Sequence, residues 1–122
     1  MENLYFRRIA RFDLVDERVV VFDAKQPRVI TLDAWPELVF QMADGEHTIQ
    51  QMIEHLGEQY EDGVPVGLSD QIIATVKQLI DEGILELASG SQVLPSYLSI
   101  PVSEQNPEKE KAAMIRDGFI KP

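Results

Sequence analysis

From residue 9 to residue 23 the chain carries two runs rich in Val, Phe and Ile, IARFDLV and RVVVFD, separated by Asp16-Glu17. Such runs favour strands, and the acidic pair suits a turn. A second break, at residues 24–27, leads into Arg28-Val29-Ile30-Thr31-Leu32. Three short strands joined by short turns predict an antiparallel meander. Strand alternation puts Ile30 and Leu32 on one face and Val29 and Thr31 on the other.

The period then changes. Asp33 can cap a helix through Trp35, Val39, Phe40 and Met42, with Pro36 tolerated because it falls in the first turn. Asp44-Gly45 reads as a helix stop and tight turn. Thr48 followed by Gln51 forms a capping box before Ile49, Met52, Ile53 and Leu56. Ser69 is the expected cap of a third helix bearing Ile72, Ile73, Val76, Leu79 and Ile80, which Gly83 stops before a short ILEL strand. Helices this short are marginal alone, so their apolar stripes must share a core with the sheet. The expected fold is α+β and winged-helix-like over residues 9–87, an N-terminal three-stranded antiparallel sheet packed on three helices.

Residues 88–122 loosen in composition and read as a C-terminal extension. A short helix is expected over 107–117, capped by Asn106 with Pro107 in its first position and anchored by Phe119 and Ile120. The extension either packs across the domain or docks on a partner. Residues 1–8 form an N-terminal segment. Within it ENLYF, residues 2–6, matches the start of a protease-cleavage linker whose next Gln is replaced by Arg7, and no role is assigned to it.

At 122 residues the chain has room for one domain with a modest core. It contains no cysteine, which removes disulfides, thiol nucleophiles and thiolate metal sites. No apolar run approaches the ~20 residues of a membrane span, and a secretory layout is missing from the N-terminus. A cytoplasmic protein is expected. The net charge of −10 is uneven: residues 34–87 hold eleven acids and one base, Lys77, while the flanking segments balance.

That distribution weighs against nucleic acid. A recognition helix must neutralise phosphates, yet residues 69–82 carry Asp70, Asp81 and Glu82 against Lys77 alone. His47 and His55 lie eight apart, unlike the i, i+4 pair of a helical zinc site, so one is expected in a turn and the other on a solvated helix face. Glu58, Glu61 and Asp62 lack the alternation of a calcium loop and suit a solvated helix end or the steering of a basic partner. Trp35 is expected to close over the core. Nothing places a catalytic triad, a phosphate loop or a buried carboxylate pair. The expectation is a binding module without catalytic residues, metal or cofactor, the alternative being a winged-helix transcriptional regulator or another protein-interaction domain.

Thr31-Leu32-Asp33, the helix through Val39 to Met42, Asp44-Gly45-Glu46-His47-Thr48 and Glu82-Gly83-Ile84-Leu85-Glu86 together resemble the PqqD-like pattern. These domains are the recognition elements of ribosomally made, post-translationally modified peptides. The resemblance covers residues 9–87. The chain departs from the pyrroloquinoline-quinone maturation protein in the end of its last helix and in its extension, so the likeness is to the wider family. It implies a non-catalytic adaptor that takes the leader of a precursor peptide as an added strand, in a groove against the third helix. The adaptor then hands the peptide to a modifying enzyme, often a radical S-adenosylmethionine protein. Carried onto this chain, the docking strand is Arg28, Val29, Ile30, Thr31 and Leu32. On the third helix Ile73, Lys77 and Ile80 form a stripe offset from Ile72, Val76 and Leu79; the first set could line the groove and the second is core. An exposed strand edge could also pair with a second copy of the chain.

Overall fold

The described residues form two three-stranded antiparallel sheets and five α-helices, an α+β fold. The computed structural model describes residues 1–23 and 28–122; the break expected at residues 24–27 lies outside them. β2 (Arg11–Val15), β3 (Arg18–Phe22) and β4 (Val29–Thr31) form the expected meander, in the order β2-β3-β4. The turn between β2 and β3 puts Asp16 and Glu17 at φ 51° and 67°, left-handed values that a two-residue hairpin loop of the primed type demands.

The other sheet has the order β5-β1-β6, and its central strand β1 is Tyr5–Arg8. No strand was expected there. Phe6 is completely buried, and β1 pairs on one side with β6 (Leu85–Ala88) and on the other with β5 (Asp44–Thr48). The closing ILEL segment thus completes this sheet rather than the meander. Asp44-Gly45 is likewise no simple turn: both residues lie in β5, and the Gln92 N–H donates to the Gly45 carbonyl at 2.8 Å. Gly45 has φ 81°, and a Cβ there would sit 2.4 Å from the Gln92 carbonyl oxygen, so only glycine fits.

α1 (Ala34–Met42) begins after Asp33, whose side chain makes no cap bond. α2 (Ile49–Gly57) carries the expected capping box, with Thr48 and Gln51 bonding reciprocally. α3 (Leu68–Asp81) starts one residue before Ser69; Gly67 at φ 86° takes the cap position without a side-chain bond. The Gly67 carbonyl accepts the first helical bond, from the Gln71 N–H at 2.9 Å. Phe6, Phe12, Val21, Val39, Phe40, Ile49, Met52, Ile72, Val76, Leu79 and Leu85 form one core shared by both sheets and these three helices.

The extension adds α4 (Ser96–Ser99), a 3-10 turn (Val102–Glu104) and α5 (Pro107–Arg116). Asn106 caps α5 by accepting from the Glu108 and Lys109 N–H groups. Leu94, Tyr97, Leu98 and Met114 make a small second core, on which Phe119 and Ile120 pack. Of the two readings of the extension, packing across the domain is seen. Arg8 is buried, and its guanidinium donates to the carbonyls of Gln41 (2.8 Å) and Leu98 (3.0 Å), over the rings of Phe12 and Phe40. Burial pulls its pKa down, partly offset by Asp44. Ser103 donates to Asp13, and Arg11 to Gln105 at 2.8 Å. No helix among the described residues is long and apolar enough to cross a membrane.

Candidate functional site

β4 lies at the end of its sheet, with β3 on one side and no strand on the other among the described residues. Its three residues are β-branched, which suits a short pleated edge, and the chain leaves it directly into α1. Arg18 fixes that corner: its guanidinium donates to the Leu32 carbonyl (2.8 Å) and to Glu37 on α1 (2.9 Å).

Register decides which backbone groups the edge offers. Phe22, Val21 and Val20 pair with Val29, Ile30 and Thr31, and one step beyond, the Asp23 N–H donates to the Arg28 carbonyl at 3.2 Å. Antiparallel pairs alternate between bonded and non-bonded. Arg28 and Ile30 therefore direct their backbone groups at β3, whereas Val29 and Thr31 direct theirs outward. Two N–H and two C=O groups face the open side.

The side chains divide as alternation requires. Val29, 57% exposed, and Thr31 face outward, Ile30 is half-buried and Leu32 is buried. Arg28 is exposed and paired with Asp23 at 2.6 Å. On α3, Ile72, Val76 and Leu79 are fully buried; Ile73 and Ile80 are half-buried, and Lys77 is exposed without an ion-pair partner among the described residues. Ile30, Ile73 and Ile80 pack against the same core, and Thr31, Val29, Lys77 and Arg28 stay in solvent. Trp35 also packs on this core, its indole N–H buried without a partner.

Of the two histidines, His55 sits on a solvated helix face as expected and His47 does not sit in a turn. His47 lies in β5 rather than a turn, with Nδ1 2.8 Å from an Asp44 carboxylate oxygen. His55 is exposed on α2. Both line a cavity of about 330 Å³ with Phe6, Met42, Asp44, Gln51 and Met52. His47 reached that wall through the pairing of β5 with β1, which residue spacing along the chain does not encode. Arg8 and Arg11, which hold the extension, were also not singled out, because an arginine in a strand ordinarily signals a solvated face.

The arrangement combines a strand edge open among the described residues with a half-buried apolar stripe on α3, and no group of three or more metal-ligating side chains occurs among those residues. The family model of coenzyme PQQ synthesis protein D (PqqD) matches residues 18–85, which span β3, β4 and all three core helices. The chain belongs to the PqqD family. Its members are non-catalytic accessory proteins that bind a precursor peptide and work with a biosynthetic enzyme. No curated protein and no solved structure matches the chain.

Proposed function

We propose that this protein captures the leader of a ribosomally made precursor peptide by strand addition to β4, and presents it to a modifying enzyme of the radical S-adenosylmethionine class. The observation that carries this reading is the free edge of β4, where Val29 and Thr31 turn four backbone groups outward.

Backbone pairing alone is insufficient. Four hydrogen bonds worth about 1 kcal/mol net each only offset the ~4 kcal/mol or more lost in translational and rotational freedom. A micromolar complex needs about 8 kcal/mol, so side chains must supply the remainder. Ile30, Ile73 and Ile80 offer apolar area on the inward side, and Lys77 offers a cation to a peptide carboxylate. The exposed acids Glu54, Glu58, Glu61, Asp62, Asp70 and Asp81 would steer an enzyme with a basic docking surface.

The test is a titration of the protein with the synthetic leader of the precursor gene adjacent to its own, read by calorimetry or by Trp35 emission. Binding is expected, and Val29→Asp and Ile73→Asp should abolish it, the first without loss of stability. Binding that survives both substitutions contradicts the reading, as does silence toward every short peptide encoded nearby. A duplex-DNA titration separates the regulator alternative, because binding to DNA must weaken steeply with salt.

A further inference from the structure

The cavity of about 330 Å³ is walled by β1, β5, α1 and α2, and none of its lining residues belongs to β4 or α3. It is therefore separate from the strand edge. Its volume lies at the lower end of the range that holds small molecules, enough for one ring. The buried Phe6 and Met52 make its floor, and the half-buried Met42 adds an apolar wall.

The polar groups of the wall are few and their roles are fixed. Both oxygens of the Asp44 carboxylate are engaged, one by the Glu46 N–H at 2.9 Å and the other by His47 Nδ1 at 2.8 Å. An ionised carboxylate only accepts, so a neutral His47 carries its proton on Nδ1 and presents Nε2 as an acceptor. Nε2 has no partner among the described residues. Gln51 spends its amide oxygen on the Thr48 N–H at 2.8 Å, which leaves only its NH2 donor for a ligand. The His55 side chain has no partner among the described residues, so nothing sets which of its nitrogens accepts.

The wall thus offers one fixed acceptor and one fixed donor over a floor of phenyl and thioether groups. A hydroxyl answers both, since it donates once and accepts through its lone pairs. An aromatic ring suits the floor, because rings pack favourably on other rings and on methionine sulfur. The charge excess of residues 34–87, eleven acids against one base, disfavours an anion. Asp44, already met by two donors, does not call for a cation. We propose that this cavity is a second binding site, for a phenol. The ring rests on Phe6, Met42 and Met52, and its hydroxyl donates to His47 Nε2 and accepts from the Gln51 amide. The phenol belongs either to a free small molecule or to a tyrosine side chain of a partner protein. The site does not depend on strand addition at β4, and its failure leaves that reading untouched.

The probe is p-cresol, a tyrosine side chain without its backbone, titrated into the full chain and followed by backbone amide NMR. Millimolar dissociation is expected for so small a ligand, with shifts centred on Phe6 and residues 42–55. The methyl ether of p-cresol, which keeps the ring and loses the donor, should bind about fivefold more weakly. His47→Phe should erase that preference, whereas His55→Phe should leave it unchanged. His47→Gln, which restores an acceptor, should keep part of the preference and guards against a variant that misfolds. N-acetyltyrosine amide separates the two sources. Binding as tight as that of p-cresol assigns the site to a partner's side chain, and exclusion of the amide where p-cresol binds assigns it to a free molecule. Shifts away from the cavity, no shifts at all, equal binding of the methyl ether, or a preference that survives His47→Phe would each overturn the proposal.

Discussion

The two sheets are built from the same kind of short strand and serve opposite ends. The sheet of β1, β5 and β6 gathers strands from the start, middle and end of the folded unit. Its central strand carries a fully buried Phe6 and the buried Arg8, which holds the extension in place. The meander joins neighbours in sequence, and its two edges differ. The extension bonds to β2 through Ser103 and Gln105, while β4 is left open. Distant pairing ties one sheet to the whole fold, and local pairing leaves the other with a strand, β4, that has one unpaired side among the described residues.

Substitutions in the first sheet should therefore hurt stability most. Phe6→Ala should cost about 3–5 kcal/mol in chemical denaturation, the range for emptying a buried phenylalanine site. A loss below ~1 kcal/mol would mean that β1 is dispensable. Arg8→Met should cost about 2–3 kcal/mol, because the carbonyls of Gln41 and Leu98 lose a buried donor, and should speed amide exchange across residues 97–105. In the meander the sign of the comparison reverses: Val29→Asp should change stability by no more than about 0.5 kcal/mol, as exposed substitutions do. Leader affinity should nevertheless fall at least about tenfold, which is ~1.4 kcal/mol.

The smallest effect concerns the extension. Tyr97 donates to an Asp117 carboxylate oxygen at 2.8 Å, and burial together with that carboxylate pushes its phenol up from 10.0 to about 12. A raised folded-state pKa means that this contribution is complete below pH 10 and is lost as pH climbs toward about 12. The denaturant midpoint should fall in that window, alongside a tyrosinate signal titrating near its upper end, and Tyr97→Phe should remove that part of the fall.

The meander, the capping box of α2 and the burial of Ile72, Val76 and Leu79 were legible because each depends on neighbours within a few positions. β1 was not. Tyr5 and Phe6 favour a strand, but they fall in the linker-like ENLYF run and two arginines follow; pairing with β5 and β6 fixes the strand, and Arg7 sits there bonded to Glu86 and Gln92. β5 reads as a turn because Asp44-Gly45 is a turn signal, which the partner strand overrides. Within the candidate site, alternation correctly set Ile30 and Leu32 against Val29 and Thr31, and helical period set the half-buried Ile73 and Ile80 apart from the fully buried Ile72, Val76 and Leu79. Chain order could not supply the outward direction of the Val29 and Thr31 backbone groups, which follows from register. Nor could it supply the juxtaposition of His47 with Phe6, which depends on the pairing of β5 with β1.

Strand addition to β4 is the central claim, and an N-methyl scan of the bound leader tests it most directly. Methylating a backbone nitrogen removes one donor, worth about 1 kcal/mol or roughly fivefold in affinity. Losses should fall on alternate residues across the bound segment, with the intervening positions indifferent, because only every second residue of an added strand faces β4. Losses spaced three and four residues apart, or none at all, would contradict a strand seated on this edge.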